Sequence, residues 1–71
     1  MLQKSWYKKD GKRTIYIHIH PTEVVMGDHY GSGQTDNAMA IPIKDFRQGK
    51  RHDFILNYFD EKVLAEVLRN L

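Results

Sequence analysis

The strongest pattern in the chain is the alternation Ile15-Tyr16-Ile17-His18-Ile19-His20. Its period of two places isoleucines on one face of a β-strand and tyrosine and histidines on the other. Branched and aromatic side chains suit such a pleated surface. Just upstream, Asp10-Gly11 separates this run from a second strand-like run that contains Trp6 and Tyr7. An Asp-Gly pair is a strong hairpin cue, because a type I′ turn needs positive φ at both central residues. Centring the turn on Asp10-Gly11 pairs Lys9 with Lys12, Lys8 with Arg13, Tyr7 with Thr14, Trp6 with Ile15, Ser5 with Tyr16 and Lys4 with Ile17. Trp6, Ile15, Ile17 and Ile19 then share the core face, and Tyr7, Tyr16 and His18 face solvent.

The alternation continues downstream. His20-Pro21-Thr22-Glu23 reads as the next turn, with proline supplying the fixed φ of its second position. Ile19 then faces Val24, Met26 lies opposite Ile17, and His29 pairs with Thr14. Gly27 falls opposite Tyr16, whose ring can cover the bare glycine. A one-residue bulge at Pro21 would exchange the two faces. Residues 31–37, rich in glycine and small polar side chains, read as a loop. Residues 38–43 turn Met39, Ile41 and Ile43 inward, and Pro42 makes this strand an edge or ends it. Residues 44–52 read as a polar, basic connection. Beyond them, Ile55, Phe59, Val63, Val67 and Leu71 recur at i, i+4, with Leu56, Leu64 and Leu68 alongside, which predicts an amphipathic helix. Residues 53–71 read as one helix or as a short strand followed by a helix; Asp53 is placed to cap the long helix and Asp60 the shorter one. The unbroken stripe favours the long helix, and residues 60–71 are helical either way.

These elements make an α+β fold in a single domain, residues 1–71. A four-stranded, mainly antiparallel sheet built of hairpins is packed on one face by a C-terminal α-helix. The expected core is Trp6, Ile15, Ile17, Ile19, Val24, Met26, Met39, Ile41, Phe59, Val63, Leu64, Val67 and Leu68.

Size and composition add constraints. A chain of 71 residues buries only about 60% of its unfolded surface, so its stability is small. The sequence contains no cysteine, which excludes disulfide support and fits a reducing compartment. Homodimerisation or tight packing would have to supply what is missing. With 41% hydrophobic and 28% charged residues, the composition is that of a globular domain. No apolar run approaches the roughly 18 residues that cross a bilayer, and the first residues carry no apolar export core. These readings predict a cytoplasmic protein without a membrane partner.

The net charge of +2 conceals a segmented distribution. Residues 1–20 carry Lys4, Lys8, Lys9, Lys12 and Arg13 against Asp10, and residues 44–52 carry Lys44, Arg47, Lys50 and Arg51 against Asp45. The segments that follow each are acidic. If the two basic segments meet, they form a patch larger than the net charge implies.

Three constellations have chemical potential. His18 and His20, at i, i+2 on a strand, point the same way, and Glu23 across the turn would complete a three-ligand set suited to zinc. The plain alternative, polar positions of an amphipathic strand that happen to be histidine, is preferred, so no metal and no cofactor are expected. Asp28-His29-Tyr30 with Ser32 superficially suggests a catalytic set. Adjacent strand residues point to opposite faces, however, so Asp28 cannot orient His29, and no enzyme is expected. The third constellation is the best supported. Lys8, Lys9, Lys12 and Arg13 crowd a hairpin tip, and Tyr7 and Tyr16 line the solvent face behind it, with Arg47, Lys50 and Arg51 as an extension. Phosphate-seeking cations beside stacking rings are what a sequence-tolerant nucleic-acid surface needs. The same face, or a strand edge, would equally suit an adaptor or inhibitor docking on a larger protein.

The lysine-flanked turn Lys9-Asp10-Gly11-Lys12 in a β-meander ending in a helix resembles the arm-type DNA-binding domains of tyrosine integrases. The likeness is one of architecture and implies no residue roles.

Overall fold

The computed structural model describes residues 3–31 and 37–71. Four strands, β1 (Lys4–Asp10), β2 (Arg13–Ile19), β3 (Glu23–Tyr30) and β4 (Asn37–Pro42), form an antiparallel meander in the order β1-β2-β3-β4. Three short helices follow: α1 (Ile43–Arg47), α2 (His52–Tyr58) and α3 (Glu61–Arg69). None of the described helices is long and apolar enough to cross a membrane.

The first hairpin differs from the sequence expectation by two residues. Trp6 pairs with Ile17, Tyr7 with Tyr16, and Asp10 with Arg13, so Gly11 and Lys12 form the turn. Gly11 has φ +64°, whereas Lys12 is not among the positive-φ residues. Positive φ at the first central position alone is the II′ pattern, which requires only one permissive residue. The Arg13 guanidinium also donates to the Asp10 carboxylate at 3.0 Å across this turn. A shift of two preserves the pleat, so Trp6, Ile15, Ile17 and Ile19 still share a face.

The second hairpin has the predicted register. Ile19 faces Val24, Ile17 faces Met26, Tyr16 faces Gly27 and Thr14 faces His29, so Pro21 introduces no face-exchanging bulge. β4 is an edge strand and ends at Pro42.

The helical segment departs further. Residues 53–71 are not one long helix. The chain breaks at Phe59, and Asp60 caps α3 by accepting from the Val63 backbone N–H at 3.0 Å. The i, i+4 stripe survives the break because each short helix buries its own part of it. The supposed basic connection also contains α1, whose Phe46 is fully buried. The His52 ring packs on Phe46 at 4.6 Å and donates to its carbonyl oxygen at 2.6 Å.

The core therefore lies between one sheet face and the three helices. Ile17, Ile19, Val24, Met26 and Ile41 meet Phe46, Ile55 and Val67, flanked by half-buried Trp6, Met39, Phe59, Val63 and Leu64. Leu68 was expected inside but is 38% exposed, because it lies about 100° around α3 from buried Val67. Trp6 ties β1 to α3 by donating its indole N–H to Glu66 at 3.0 Å.

Candidate functional site

Because all three helices anchor their buried residues on one sheet face, the other face is left open. The registers define its side chains row by row. Lys9, Thr14 and His29 form one row. Tyr7, Tyr16, Gly27 and Ala38 form the next, followed by Ser5, His18, Val25 and Ala40. His20 and Glu23 lie beyond them at the second turn.

The rings on this face are in mutual contact. His18 lies 4.7 Å from Tyr16 and 5.5 Å from Tyr7 between centroids, and its Nε2 is 3.1 Å from the Tyr7 hydroxyl. His29 approaches Tyr16 at 6.1 Å, and His20 approaches His18 at 6.2 Å. Tyr7, Tyr16, His18, Val25 and His29 together line a shallow recess of about 410 Å³. Burial lowers the His18 pKa from its usual value, and the neighbouring His20 and His29 lower it further.

Tyr16 is on the open face, as expected, but it does not face water. It is 6% exposed, whereas Tyr7 is 58% exposed. Tyr16 lies across from Gly27 in the register, His18 and His29 flank its ring, and Tyr7 lines the same recess. Tyr7 is the ring that presents an open face for stacking.

The hairpin cations divide between the two sides of the sheet. Alternation puts Lys9 on the open face with Tyr7, Lys8 on the helical side with Trp6, and Lys12 in the turn itself. Arg13 belongs to an internal network. It donates to Asp10 at 3.0 Å and to Asp28 at 2.7 Å, and it packs over the Tyr58 ring at 5.3 Å. Asp28, 9% exposed, also accepts from the Asn37 amide at 3.1 Å. The Asp10 bond foremost, then those to Tyr58 and Asp28, raises the Arg13 pKa and keeps the guanidinium charged. Lys4 lies over the Trp6 ring at 5.5 Å.

Arg47, Lys50 and Arg51 are exposed. They connect helices α1 and α2, which bury Phe46 and Ile55 in the core. That connection is thus part of the helical layer, on the opposite side of the sheet from Tyr7 and His18. Of the two basic segments, the first places Lys9 on the face of the ring cluster, and the second lies in the helical layer.

Among the described residues, no group of three or more His, Asp or Glu side chains is arranged to hold a metal ion. His18 and His20 do neighbour each other, and the His20 backbone N–H donates to the Glu23 carbonyl at 2.9 Å. Asp28 points to the helical side and His29 to the open side, so they form no acid–base pair. Ser32 lies outside the described residues.

Sequence reasoning missed Val25 and His29 as members of the site. The predicted register already held the signal. His29 is too far along the strand to reach His18 directly, but Tyr16 lies between them and bridges the gap. Comparison with protein-family models, curated proteins and solved structures returned no match.

Proposed function

We propose that this chain is a non-catalytic nucleic-acid-binding module. Its contact surface would be the helix-free sheet face together with the tip of the β1–β2 hairpin. The observation that carries this reading is the contiguous ring cluster of Tyr7, Tyr16, His18 and His29, which shares the face with Lys9; Lys12 sits in the turn at the end of the same hairpin. Lysine ammonium groups attract phosphates irrespective of sequence, and rings accept any base because every base has a π-face. Tyr7 supplies the open ring. Tyr16 holds the cluster from beneath, and Arg13 fixes the hairpin to the helical layer instead of contacting phosphate. Arg47, Lys50 and Arg51 are excluded from this surface by the side of the sheet they occupy.

Docking on a larger protein through a strand edge has less support. β1 carries Lys4, Lys8 and Lys9, and β4 is six residues long and ends at proline. Charge, shortness and proline are features that discourage edge pairing.

The test is binding of labelled oligonucleotides over a range of salt. Affinity should fall steeply as salt rises, with a log–log slope of roughly 0.7–0.9 per phosphate contact. Replacing Lys9 and Lys12 together by Ala should weaken binding and flatten that slope, with the fold intact, since both side chains are exposed. Failure of any nucleic acid to bind at low ionic strength would overturn the reading. A nuclease-resistant stoichiometric protein partner captured through the same face would do so too.

A further inference from the structure

The open face is not flat. On β1 and β2 its side chains are large rings: Tyr7, Tyr16 and His18. On β3 and β4 they are low: Val25, Gly27, Ala38 and Ala40. His29 closes one end of the resulting step, and the shallow, open recess measures about 410 Å³. We propose that this recess is a seat for one unpaired base of a single-stranded nucleic acid, with the adjoining phosphate held by Lys9. The proposal rests on the nucleic-acid reading above and specifies the form of the ligand.

Three observations point to this occupant. Tyrosine and imidazole rings wall the recess, and the Tyr7 ring, 58% exposed, gives a π-face on which any base can stack. Lys9 lies in the same cross-strand row as His29, on the face that carries the recess, which puts a positive charge within reach of the backbone of a seated nucleotide. Successive rows are about 6.8 Å apart along a strand, twice the rise per residue, which suits an extended single strand better than the compact repeat of a stacked one. A duplex fits poorly. Its base edges lie at the bottom of a major groove about 8.5 Å deep, and reading them needs side chains that project. Here the middle of the face is sunk, and its β3–β4 half is glycine, alanine and valine.

The experiment uses the full 71-residue chain and fluorescence anisotropy of a labelled oligothymidylate strand, compared with a labelled hairpin duplex. The strand should bind at least about tenfold more tightly than the duplex. Val25→Phe fills the recess while leaving Lys9 and Lys12 in place, and it should lower strand affinity about tenfold or more. If Val25→Phe impairs folding, Tyr7→Ala is the second variant, because Tyr7 is 58% exposed and its removal opens no core cavity. Loss of one stacking ring should cost roughly five- to a hundredfold in affinity. Equal strand binding by the wild type and a folded recess variant would overturn the base seat, as would a duplex that binds as well as the strand. In both cases the broader nucleic-acid reading stands. Absence of binding to strand and duplex alike would overturn both proposals together.

Discussion

Replacing Gly27 by Ala tests the packing on which the open face depends. A Cβ built on Gly27 collides with the Asn37 carbonyl oxygen, and it lies 2.8 Å from the Asn37 carbonyl carbon and 3.0 Å from the Ala38 Cα. All three are backbone atoms of β4, so no rotamer change relieves the contact. Either β4 moves away or the Gly27–Ala38 pairing breaks. Overpacking typically costs about 1–3 kcal/mol, and an obstacle made of backbone puts this case at the upper end, about 3 kcal/mol. That is a large part of the total stability of a domain this small. At about 4–8 °C per kcal/mol for a domain of this size, the melting temperature should fall by about 12–24 °C. Thermal unfolding followed by far-UV circular dichroism and by the fluorescence of Trp6 would measure it. Gly31→Ala is the control, because among the described residues nothing lies within 4 Å of its added Cβ and its φ is not positive. That variant should stay within about 1 kcal/mol of the wild type. A Gly27→Ala melting temperature within about 3 °C of the wild type, well under 1 kcal/mol on the same conversion, would refute the close approach of β4.

Other perturbations read other parts of the fold. Asp60→Ala removes the cap that accepts from Val63 and should cost about 1 kcal/mol, whereas Asp60→Asn should retain most of it; equal urea midpoints for the two variants would argue against the cap. Glu66→Ala deprives the Trp6 indole of its acceptor. It should cost about 1 kcal/mol and shift Trp6 emission to the red as α3 loosens, and Glu66→Gln, which keeps an acceptor oxygen, should do less. His18 has a pKa below its usual 6.5 in the folded chain, chiefly through burial and then through His20 and His29. Between that lowered value and 6.5 the unfolded chain binds the extra proton, so this contribution to stability is fully present above pH 6.5 and is lost as pH falls below it. Urea midpoints taken from pH 7.5 to 5.5 should therefore decline more steeply for the wild type than for His18→Asn, and parallel curves would count against the burial of His18.

Much of this was readable from the chain because the governing forces are local. The Ile15–His20 alternation dictates which side chains share a face, and a proline-containing turn before Val24 carries that face assignment into β3 without a bulge. Pro42 marks the end of the last strand because it has no N–H to donate. Even the misplaced first turn did no harm to the faces, since a slip of two residues returns each side chain to its own side. What stayed hidden was set by contacts between residues distant in sequence. Phe46, surrounded by Lys44, Asp45 and Arg47, enters the core only because β4 delivers α1 onto the sheet. Arg13 looks like one of several tip cations until Asp28 and Tyr58 arrive from elsewhere and take it. Asp60 could have continued a helix, and the need for α2 and α3 each to bury its own stripe decides that it caps one. Tyr16 alternates outward by sequence, yet it is covered, with His18 and His29 from its own and the neighbouring strand packed against its ring. Period and turn chemistry thus set the sides of the sheet, whereas burial and charge pairing depend on which surfaces three-dimensional packing brings together.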